Sequence, residues 1–341
     1  MIYDQKIIIM HKLGTRSLKN YFRFTIYVFI LFSIVNPLQG QQLVHWPGGN
    51  ICAPETIEYG SPIFQEDFND DKLDADTWRT HFHCGGMPYD SDDCYYARSH
   101  GEPGHIYKDE NIKVENGTCT ISLKREDAEW FGQESPYTTG IIESVETFRH
   151  YSRFEIMADM PDGAGVWPNF WMFGYGTEFD VAEYNEDTDK YLIAVHRFDK
   201  GLTRPDWCCT FVKKDYPITR SFQLYAVEYE PYRIKFYLND EIVGIMPRFT
   251  TLSGEEVKEC EYYKPQLMIE HNAWPRYGNP LNIIVDISTL KPNAKVLDVN
   301  EDDLIIDYIK VYKRDVKRTK IQRLLPATMS TNLWSTLVRS M

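Results

Sequence analysis

The apolar residues of this chain recur at every second position through long stretches of its length. Between residues 153 and 160, the positions 154, 156, 158 and 160 are apolar, and three of the four residues that alternate with them are charged. A period of two is typical of a β-strand with one buried face. Because no stretch has the pattern of a long amphipathic helix, the sequence predicts an all-β fold.

Further segments with the pattern of strands follow the first one. They are residues 191–198, 222–230, 233–238 and 304–312. Short segments rich in Pro, Gly, Asn and Asp separate them, and these residue types favour turns. Many short strands joined by such turns predict a β-sandwich or a barrel. No internal repeat and no linker interrupts residues 41–314, which we therefore expect to form one domain.

The charge is divided unevenly along the chain. The net charge is −13, but residues 1–40 and 315–341 each carry +4, so residues 41–314 carry −21. Because an acidic domain is repelled by a phosphate backbone, we expect no nucleic-acid partner. The basic tail, 315–341, is predicted to lie outside the fold, and its role is unknown.

The first 40 residues have the composition of a secretory signal peptide. A basic region ends at Arg23, a run of twelve mostly apolar residues follows at Phe24–Val35, and Asn36-Pro37 interrupts it. Twelve residues are too few for a membrane-spanning helix, which needs about 20. We expect export to the periplasm, the cell surface or the medium, without stable membrane insertion. An uncleaved N-terminal anchor is the alternative.

Export would place the seven cysteines in an oxidising compartment, where some of them should pair. Cys84 and Cys94 enclose a short loop rich in Gly and Asp, and we predict a disulfide between them. The odd number leaves at least one thiol free, and the remaining connectivity stays open. Zinc bound near Cys84 is an alternative, although the spacing matches no standard zinc motif.

Three carboxylates lie close together in an apolar stretch: Glu178, Asp180 and Glu183. Glu178 and Asp180 share one face of a regular strand, whereas Glu183 would point to the other face. A β-bulge at Val181-Ala182 would return Glu183 to the first face. Carboxylates crowded in this way perturb one another's pKa, as a glycosidase requires. A calcium site and a solvated strand edge are the other interpretations of the residues alone.

Motifs in a fixed order extend the pattern to most of residues 64–313. They are Phe64–Asn69, Leu73–Trp78, Tyr137–Gly140, Ser152–Glu155, Met160–Gly163, Val166–Trp171, Glu178-x-Asp180-x-x-Glu183 and Asp307–Tyr312. Together they resemble glycoside hydrolase family 16, in the bulged form shared by laminarinases, agarases and carrageenases. The resemblance implies a jelly-roll β-sandwich of two curved antiparallel sheets with a concave substrate cleft.

The resemblance also implies roles for particular residues. Glu178 would be the nucleophile, Glu183 the acid/base, and Asp180 would hydrogen-bond the nucleophile, in a retaining mechanism that requires no cofactor. Further positions take their roles from the same resemblance. They are Trp167, Trp171, His196 and Trp274 for sugar binding, and Glu66 and Asp307 for a structural calcium ion.

The function that we predict is that of an exported, monomeric, retaining endo-glycoside hydrolase that cleaves a β-linked polysaccharide. β-1,3- or β-1,3-1,4-glucan is the first choice of substrate, because an acidic protein repels a sulfated one. The alternatives are an endo-galactanase acting on an algal galactan such as agar, porphyran or carrageenan, a transglycosylase, and a non-catalytic sugar-binding jelly roll.

Overall fold

The computed structural model describes most of the region 42–315. The described stretches are 42–46, 58–84, 94, 97–99, 104–149, 151–184, 188–198, 206–230, 232–255, 257, 266–275, 280–289 and 300–315, with the backbone alone at 42–46, 58, 206–208, 266–267 and 315. The predicted signal peptide, 1–40, and all of the predicted tail except Asp315 lie outside them. Both therefore stay predictions.

Strands dominate the described residues. In chain order they are β1 (Gln42–Trp46), β2 (Glu58–Glu66), β3 (Trp78–Arg79), β4 (Ile106–Tyr107), β5 (Ile112–Glu115), β6 (Thr118–Trp130), β7 (Gln133–Thr139), β8 (Ile141–Ser144), β9 (Ser152–Asp159), β10 (Val166–Gly174), β11 (Thr177–Tyr184), β12 (Lys190–Arg197), β13 (Asp206–Lys213), β14 (Phe222–Tyr229), β15 (Arg233–Leu238), β16 (Glu241–Pro247), β17 (Phe249–Thr250), β18 (Gln266–Glu270), β19 (Asn282–Thr289) and β20 (Glu301–Asp315). A short 3₁₀ helix, Asp109–Asn111, precedes β5.

The segments predicted as strands are all confirmed, as β9, β12, β14, β15 and β20. Strand β9 shows why the alternation predicts them. Phe154, Ile156 and Ala158 are fully buried, whereas Arg153, Met157 and Asp159, which alternate with them, are only partly buried. A strand with this pattern can be stable only when a second layer covers its apolar face.

Two large sheets supply the layers. One has the strand order β13-β12-β11-β10-β19-β8-β3, and the other runs β16-β15-β14-β9-β20-β6-β7-β4, with β2 beside β20 and β5 beside β6. A small sheet, β1-β18-β17, accompanies them. Neighbouring strands are antiparallel except β4 and β7. The arrangement confirms the expected all-β jelly-roll sandwich.

The hydrophobic core contains inward-facing side chains of both sheets. Phe170 of β10 and Phe179 of β11 are fully buried in the same cluster as Ile156 of β9 and Val227 of β14. Fully burying one such side chain contributes roughly 1.5–3 kcal/mol. We call the opposite face of the seven-stranded sheet, which is turned away from this core, the outer face.

A tight turn sets the register of the two central strands of that sheet. Tyr175 and Gly176 connect β10 to β11, and both have positive φ angles, 50° and 73°. Two-residue loops of this kind match the twist of a hairpin. A Cβ at Gly176 would lie 2.9 Å from the carbonyl oxygen of Phe198, so this position has no room for a side chain. The turn therefore determines which residues of β10 face those of β11.

A disulfide joins Cys84 to Cys94, whose Cα atoms are 5.7 Å apart. Cys84 is therefore unavailable to zinc, and that alternative is wrong for this residue. Cys119 and Cys209 are free thiols, one buried and the other exposed. Cys52 and Cys260, with the side chain of Cys208, lie outside the described residues. In the part of the chain that the structure covers, no helix is long and apolar enough to cross a membrane.

We predict that Phe179→Ala lowers the free energy of unfolding by about 3–5 kcal/mol, because a large cavity would open between the sheets. The ring packs edge-on against Tyr229, with ring centroids 5.0 Å apart. Urea denaturation followed by circular dichroism measures the change. Tyr175→Ala is the control, since Tyr175 is 77% exposed. Equal losses in the two variants would contradict the assignment of Phe179 to the core.

Candidate active site

Strand β11 contains a β-bulge at the position that the spacing of its carboxylates predicts. On β10, Phe170 and Trp171 pair with Ala182 and Asp180, so Val181 is the extra residue. The register with β12 is shifted in the same place, between Asp180 and Glu183. Val181 and Ala182 are both buried. The predicted bulge is thus confirmed, and it turns Glu183 to the same face as the two carboxylates before it.

Glu178, Asp180 and Glu183 consequently lie together on the outer face. The side chains of Glu178 and Asp180 are 22% and 10% exposed, so water screens their charges weakly. His196 of β12 stands directly opposite Glu178 in the register. Its Nε2 atom lies 3.0 Å from Oδ2 of Asp180 and 3.9 Å from Oε1 of Glu178. The imidazole therefore lies next to both carboxyl groups, within hydrogen-bond distance of Asp180 and farther from Glu178.

The pKa values of all three carboxyl groups are raised. For Glu178 and Asp180, which interact closely, burial is the main cause, and the charge of Asp180 raises the pKa of Glu178 further. Burial, followed by the charge of Asp180, raises the pKa of Glu183 to about 7. Since burial and repulsion both disfavour the anions, the three groups do not all ionise at neutral pH. The site can thus hold protonated and ionised carboxyl groups side by side.

Aromatic side chains of β10 flank the carboxylates on the same face. Trp167 and Trp171 are both half-buried. The indole Nε1 of Trp167 is buried and makes no hydrogen bond of normal geometry. Its N–H is nevertheless close enough to the Glu183 carboxyl to act as a weak donor, which lowers the pKa of Glu183. A buried donor without a well-formed hydrogen bond is costly, and a ligand that accepts a hydrogen bond from it would remove the cost.

A further aromatic surface lies beside His196. Phe198 is 42% exposed; its ring lies nearly parallel to the imidazole, with centroids 6.0 Å apart, and 6.4 Å from the ring of Phe173. The sequence pattern did not single out Phe198, because an isolated aromatic residue at the end of a strand has no periodic signal. Phe198 extends the apolar surface next to Glu178.

A buried carboxylate on the outer face of β19, Asp286, was not among the predicted site residues. Asp286 is 1% exposed. Its Oδ1 accepts a hydrogen bond from Nε1 of Trp171 at 2.9 Å, and its Oδ2 accepts from the hydroxyl groups of Tyr107 and Ser288 at 2.8 Å each. The signal was present in the sequence, because Asp286 is the one charged residue in the strand Asn282–Thr289.

Residues 80–84, which follow β3 and which we call the covering segment, pack with Tyr107 of β4 on one side of the outer face. Phe82 and Tyr107 pack there in a cluster with Ile141, Ile284 and Trp171. The Phe82 and Trp171 rings meet edge-on, with centroids 5.9 Å apart. This packing encloses the side of Trp171 that is turned away from the carboxylates.

A buried charge cluster anchors the same segment. Glu143 of β8 is fully buried, and its Oε1 lies 2.8 Å from Nδ1 of His83 and 3.3 Å from Arg79. Its Oε2 accepts a hydrogen bond from the backbone N–H of His83 at 2.9 Å. Contact with Glu143 raises the pKa of His83. The ion pairs therefore hold the covering segment on the sheet next to the carboxylates.

Trp274 lies in the core, and its burial gives no support to the prediction that it binds sugar. The side chain is 5% exposed and belongs to the main hydrophobic core. Its ring lies 6.5 Å from that of Tyr229, and the guanidinium of Arg248 lies over it at 5.7 Å. An indole buried in this way has no face to offer to a ligand.

The two residues assigned to calcium give no sign of a shared site. Both oxygens of Glu66 already accept hydrogen bonds, from the backbone N–H of Phe68 at 2.9 Å and from Nε1 of Trp78 at 3.0 Å. Asp307 is exposed. Among the described residues, one group of three or more His, Cys, Asp or Glu side chains has its ligand atoms within 4.8 Å of one another, and it consists of Glu178, Asp180 and His196. The calcium assignment stays a prediction without support from these contacts.

We predict that Glu183→Gln stabilises the fold at alkaline pH. The folded-state pKa of Glu183, about 7, lies above the usual value of 4.5. The ionised group therefore destabilises the fold increasingly as the pH rises from about 4.5 through 7, and a neutral amide avoids this cost. The gain should be on the order of 2 kcal/mol above pH 7 and nearly absent at pH 4.5. Thermal unfolding at several pH values measures it.

Glu126→Gln is the control for this prediction. Hydrogen bonds from Thr138 and Lys108 lower the pKa of Glu126, so its replacement should bring no gain at high pH. A Glu183→Gln variant that is destabilised equally at every pH would contradict the electrostatic explanation.

Comparison with known protein families identifies one that covers the site. The profile described as "Glycosyl hydrolases family 16" matches residues 102–278, just over half of the chain. This range includes β10, β11 and β12, which bear the three carboxylates and His196.

The chain is also similar to individual proteins, at a low level of sequence identity. The chain is 27% identical over 216 residues to "Endo-1,3-1,4-beta-glycanase ExsH" of Rhizobium meliloti (strain 1021), a match of 60% of this chain and 40% of that protein. It is 23% identical over 194 residues to "Glucan endo-1,3-beta-glucosidase" of Cryptopygus antarcticus, a match of 52% of this chain and 66% of that protein. The chain thus spans less than two thirds of each of these relatives.

The fold is shared with solved structures. The catalytic domain of an endo-1,3-beta-glucanase (laminarinase) from Thermotoga petrophila RKU-1 superposes with a TM-score of 0.57 at 19% identity. The superposition covers 76% of this chain and 100% of that domain. At this identity the likeness establishes the fold alone.

Proposed function

Because the chain belongs to glycosyl hydrolase family 16, we propose that it is a retaining endo-glycoside hydrolase that cleaves β-1,3- or β-1,3-1,4-linked glucan. One observation carries the proposal: the bulge of β11 brings Glu178, Asp180 and Glu183 to one face, where burial raises their pKa values. The names of the two relatives, a 1,3-1,4-β-glycanase and a 1,3-β-glucosidase, support the linkage.

In the proposed reaction, the carboxylate of Glu178 attacks the anomeric carbon while the bond to the leaving oxygen breaks. Glu183 transfers its proton to that oxygen. In the second step Glu183, now ionised, takes a proton from water, and the water oxygen displaces Glu178 from the anomeric carbon. A group with a pKa of about 7 suits both tasks, because it loses and regains its proton readily near neutral pH.

Asp180 would control the charge of the nucleophile. Glu178 and Asp180 repel each other and are both buried, so we propose that the pair holds one proton at the working pH. With that proton on Asp180, Glu178 is ionised and able to attack. The Nε2 atom of His196, at 3.0 Å from Asp180, fixes the orientation of that carboxyl group.

Trp167 and Trp171 would form the sugar-binding surface with His196. A flat indole suits the apolar face of a pyranose ring. Trp171 donates its N–H to Asp286, so it would offer the sugar its ring alone. Trp167 has a buried N–H beside Glu183 that makes no hydrogen bond of normal geometry, so it could also donate a hydrogen bond to a sugar hydroxyl or to the glycosidic oxygen.

The charges on the outer face favour a neutral substrate. Four acidic side chains lie on its central strands, at Glu178, Asp180, Glu183 and Asp286, and those that are ionised make the face negative, since Arg79 at the margin already pairs with Glu143. A sulfated galactan would meet repulsion there. We therefore prefer a β-glucan to agar, porphyran or carrageenan.

We further propose that the protein is exported and acts as a monomer on its polysaccharide, without a cofactor. The disulfide between Cys84 and Cys94 supports export, since such bonds persist mainly in oxidising compartments. The N-terminal segment 1–40 would be the export signal.

We predict that the wild-type protein releases reducing sugar from laminarin or mixed-linkage β-glucan, and that Glu178→Gln lowers kcat/KM by more than about 10³-fold. The amide cannot form the covalent intermediate. Glu126→Gln, a change at an exposed carboxylate of β6 in the other large sheet, is the control and should retain most of the activity. The absence of release by the wild type from β-glucans and galactans alike would refute the proposal.

A second substrate separates the roles of the two glutamates. An aryl β-glycoside with an acidic phenol needs no proton for departure, so Glu183→Gln should still release the phenol in a burst, whereas Glu178→Gln should not. A burst from Glu178→Gln but not from Glu183→Gln would reverse the two assignments.

We predict that Trp167→Phe raises KM about 3- to 10-fold and changes kcat less, because a smaller aromatic ring stays while part of the stacking surface and one hydrogen bond to the sugar are lost. Initial rates on laminari-oligosaccharides measure both constants. Trp130→Phe, at the end of β6, is the control and should leave both unchanged. An unaltered KM in Trp167→Phe would show that its N–H does not bind the substrate.

A further inference from the structure

Asp286 lies at the centre of a buried polar network that the proposed chemistry does not use directly. It occupies the outer face of β19, opposite Asn169 of β10, and Asn169 stands in turn opposite Glu183 of β11. Since adjacent strands are about 4.8 Å apart, the backbones at Asp286 and Glu183 are separated by about 10 Å. Asn169 is neutral, so no cation of β10 lies between the two carboxylates at this level of the sheet.

The contacts of Asp286 favour its ionised form. Trp171, Tyr107 and Ser288 all donate hydrogen bonds to it, at 2.8–2.9 Å. Hydrogen bonds to a charged acceptor are stronger than neutral ones. Burial of the carboxylate is therefore compensated by donors, and a fixed negative charge is held below the surface of the site.

Two of these donors belong to elements that shape the site. Trp171 is half-buried beside the carboxylates, and its indole cannot rotate without losing the bond to Asp286. Tyr107 belongs to β4 and packs against Phe82 of the covering segment, which in turn meets Trp171 edge-on. Asp286 thus connects β4 to the aromatic surface through one carboxyl group.

We propose that Asp286 is a positioning residue of the active site, which holds the Trp171 indole against the substrate and keeps a fixed negative charge beside Glu183. The assignment rests on the proposed function for its kinetic consequences, but the effect of the charge on Glu183 exists without substrate. The proposal thus gives a role to a residue of β19, outside the motif of three carboxylates on β11.

The groups that face Glu183 agree with this role. Asp180 comes from its own strand, His196 from β12, Trp167 from β10 and Asp286 from β19. After burial and Asp180, which are the larger causes, the charge of Asp286 also raises the pKa of Glu183, whereas His196 and Trp167 lower it. Asp286 therefore helps to keep the proposed general acid protonated.

The first measurement is a ¹³C NMR titration of the Glu183 carboxyl carbon, assigned by comparison with Glu183→Gln. In Asp286→Asn the titration midpoint should fall by about half to one pH unit, as expected for the loss of a charge about 10 Å away. Ser288→Ala and Tyr107→Phe each remove one donor but retain the charge, and should leave the midpoint near its wild-type value. An unshifted midpoint in folded Asp286→Asn would overturn the charge role.

The second measurement is the pH profile of kcat/KM on the β-glucan that the wild type cleaves. Activity declines as the pH rises through the pKa of the general acid, so the alkaline limb of Asp286→Asn should move to lower pH by the same amount as the NMR midpoint. Its KM should rise several-fold, and Trp171→Phe should reproduce the rise in KM without moving the limb. A uniform loss of activity with an unmoved limb would indicate a purely structural role and would refute the inference.

Asp286→Asn could fail to fold, because Asn has one acceptor oxygen for three donors. The double variant Asp286→Asn/Tyr107→Phe then makes the same change in charge and removes one of these donors, the Tyr107 hydroxyl. If the wild type cleaves no polysaccharide, the proposed function fails, while the NMR titration still tests the charge of Asp286 on its own.

Discussion

The bulge at Val181 in strand β11 is the feature on which the rest of the site depends. A regular strand would send Glu183 into the sandwich, where Phe170 and Phe179 are packed. The extra residue reverses the parity after Asp180, so that buried Val181 and Ala182 fill the inner side and Glu183 reaches the outer face. Because of this one bulge, the hydrophobic core stays continuous on the inner side of β11 while all three carboxylates lie on its outer face.

The crowding of these carboxylates carries an energetic cost that the surrounding fold must offset. Burial raises the pKa of Glu183 to about 7, and each pH unit of such a shift corresponds to about 1.4 kcal/mol against the ionised form. The core between the two sheets supplies stability, and the tight turn at Tyr175-Gly176 keeps β10 and β11 in register. A rigid sheet is able to hold like charges together where a loop would let them separate.

Two buried acids next to the site illustrate how it is supported. Asp286 accepts from Trp171 and Tyr107, and Glu143 pairs with His83 and Arg79. Asp286 connects β4 to the seven-stranded sheet through hydrogen bonds, and Glu143 connects the covering segment to that sheet through ion pairs. The side of the site beyond Trp171 is therefore formed by packing against this segment, whereas the carboxylates themselves depend only on adjacent strands.

Local information was enough for the strands and for the bulge. The alternation at Phe154, Ile156 and Ala158 reports which face of β9 is buried, and the odd spacing of Glu178 and Glu183 demands a change of parity, because side-chain direction along a strand repeats every two residues. Both properties are contained in a few consecutive residues. The ordered motifs then identified the family, which the profile match over residues 102–278 bears out.

Which distant residues meet was decided by the tertiary structure. Trp274 was predicted to bind sugar, but its side chain lies in the core against Tyr229. Asp286 and Tyr107 are 179 positions apart, and no periodicity relates them. The sequence by itself determined the strands, the parity of the three carboxylates and the family. The order of strands in the sheet determined their neighbours, because pairing between strands depends on the packing of the whole sandwich rather than on any local pattern.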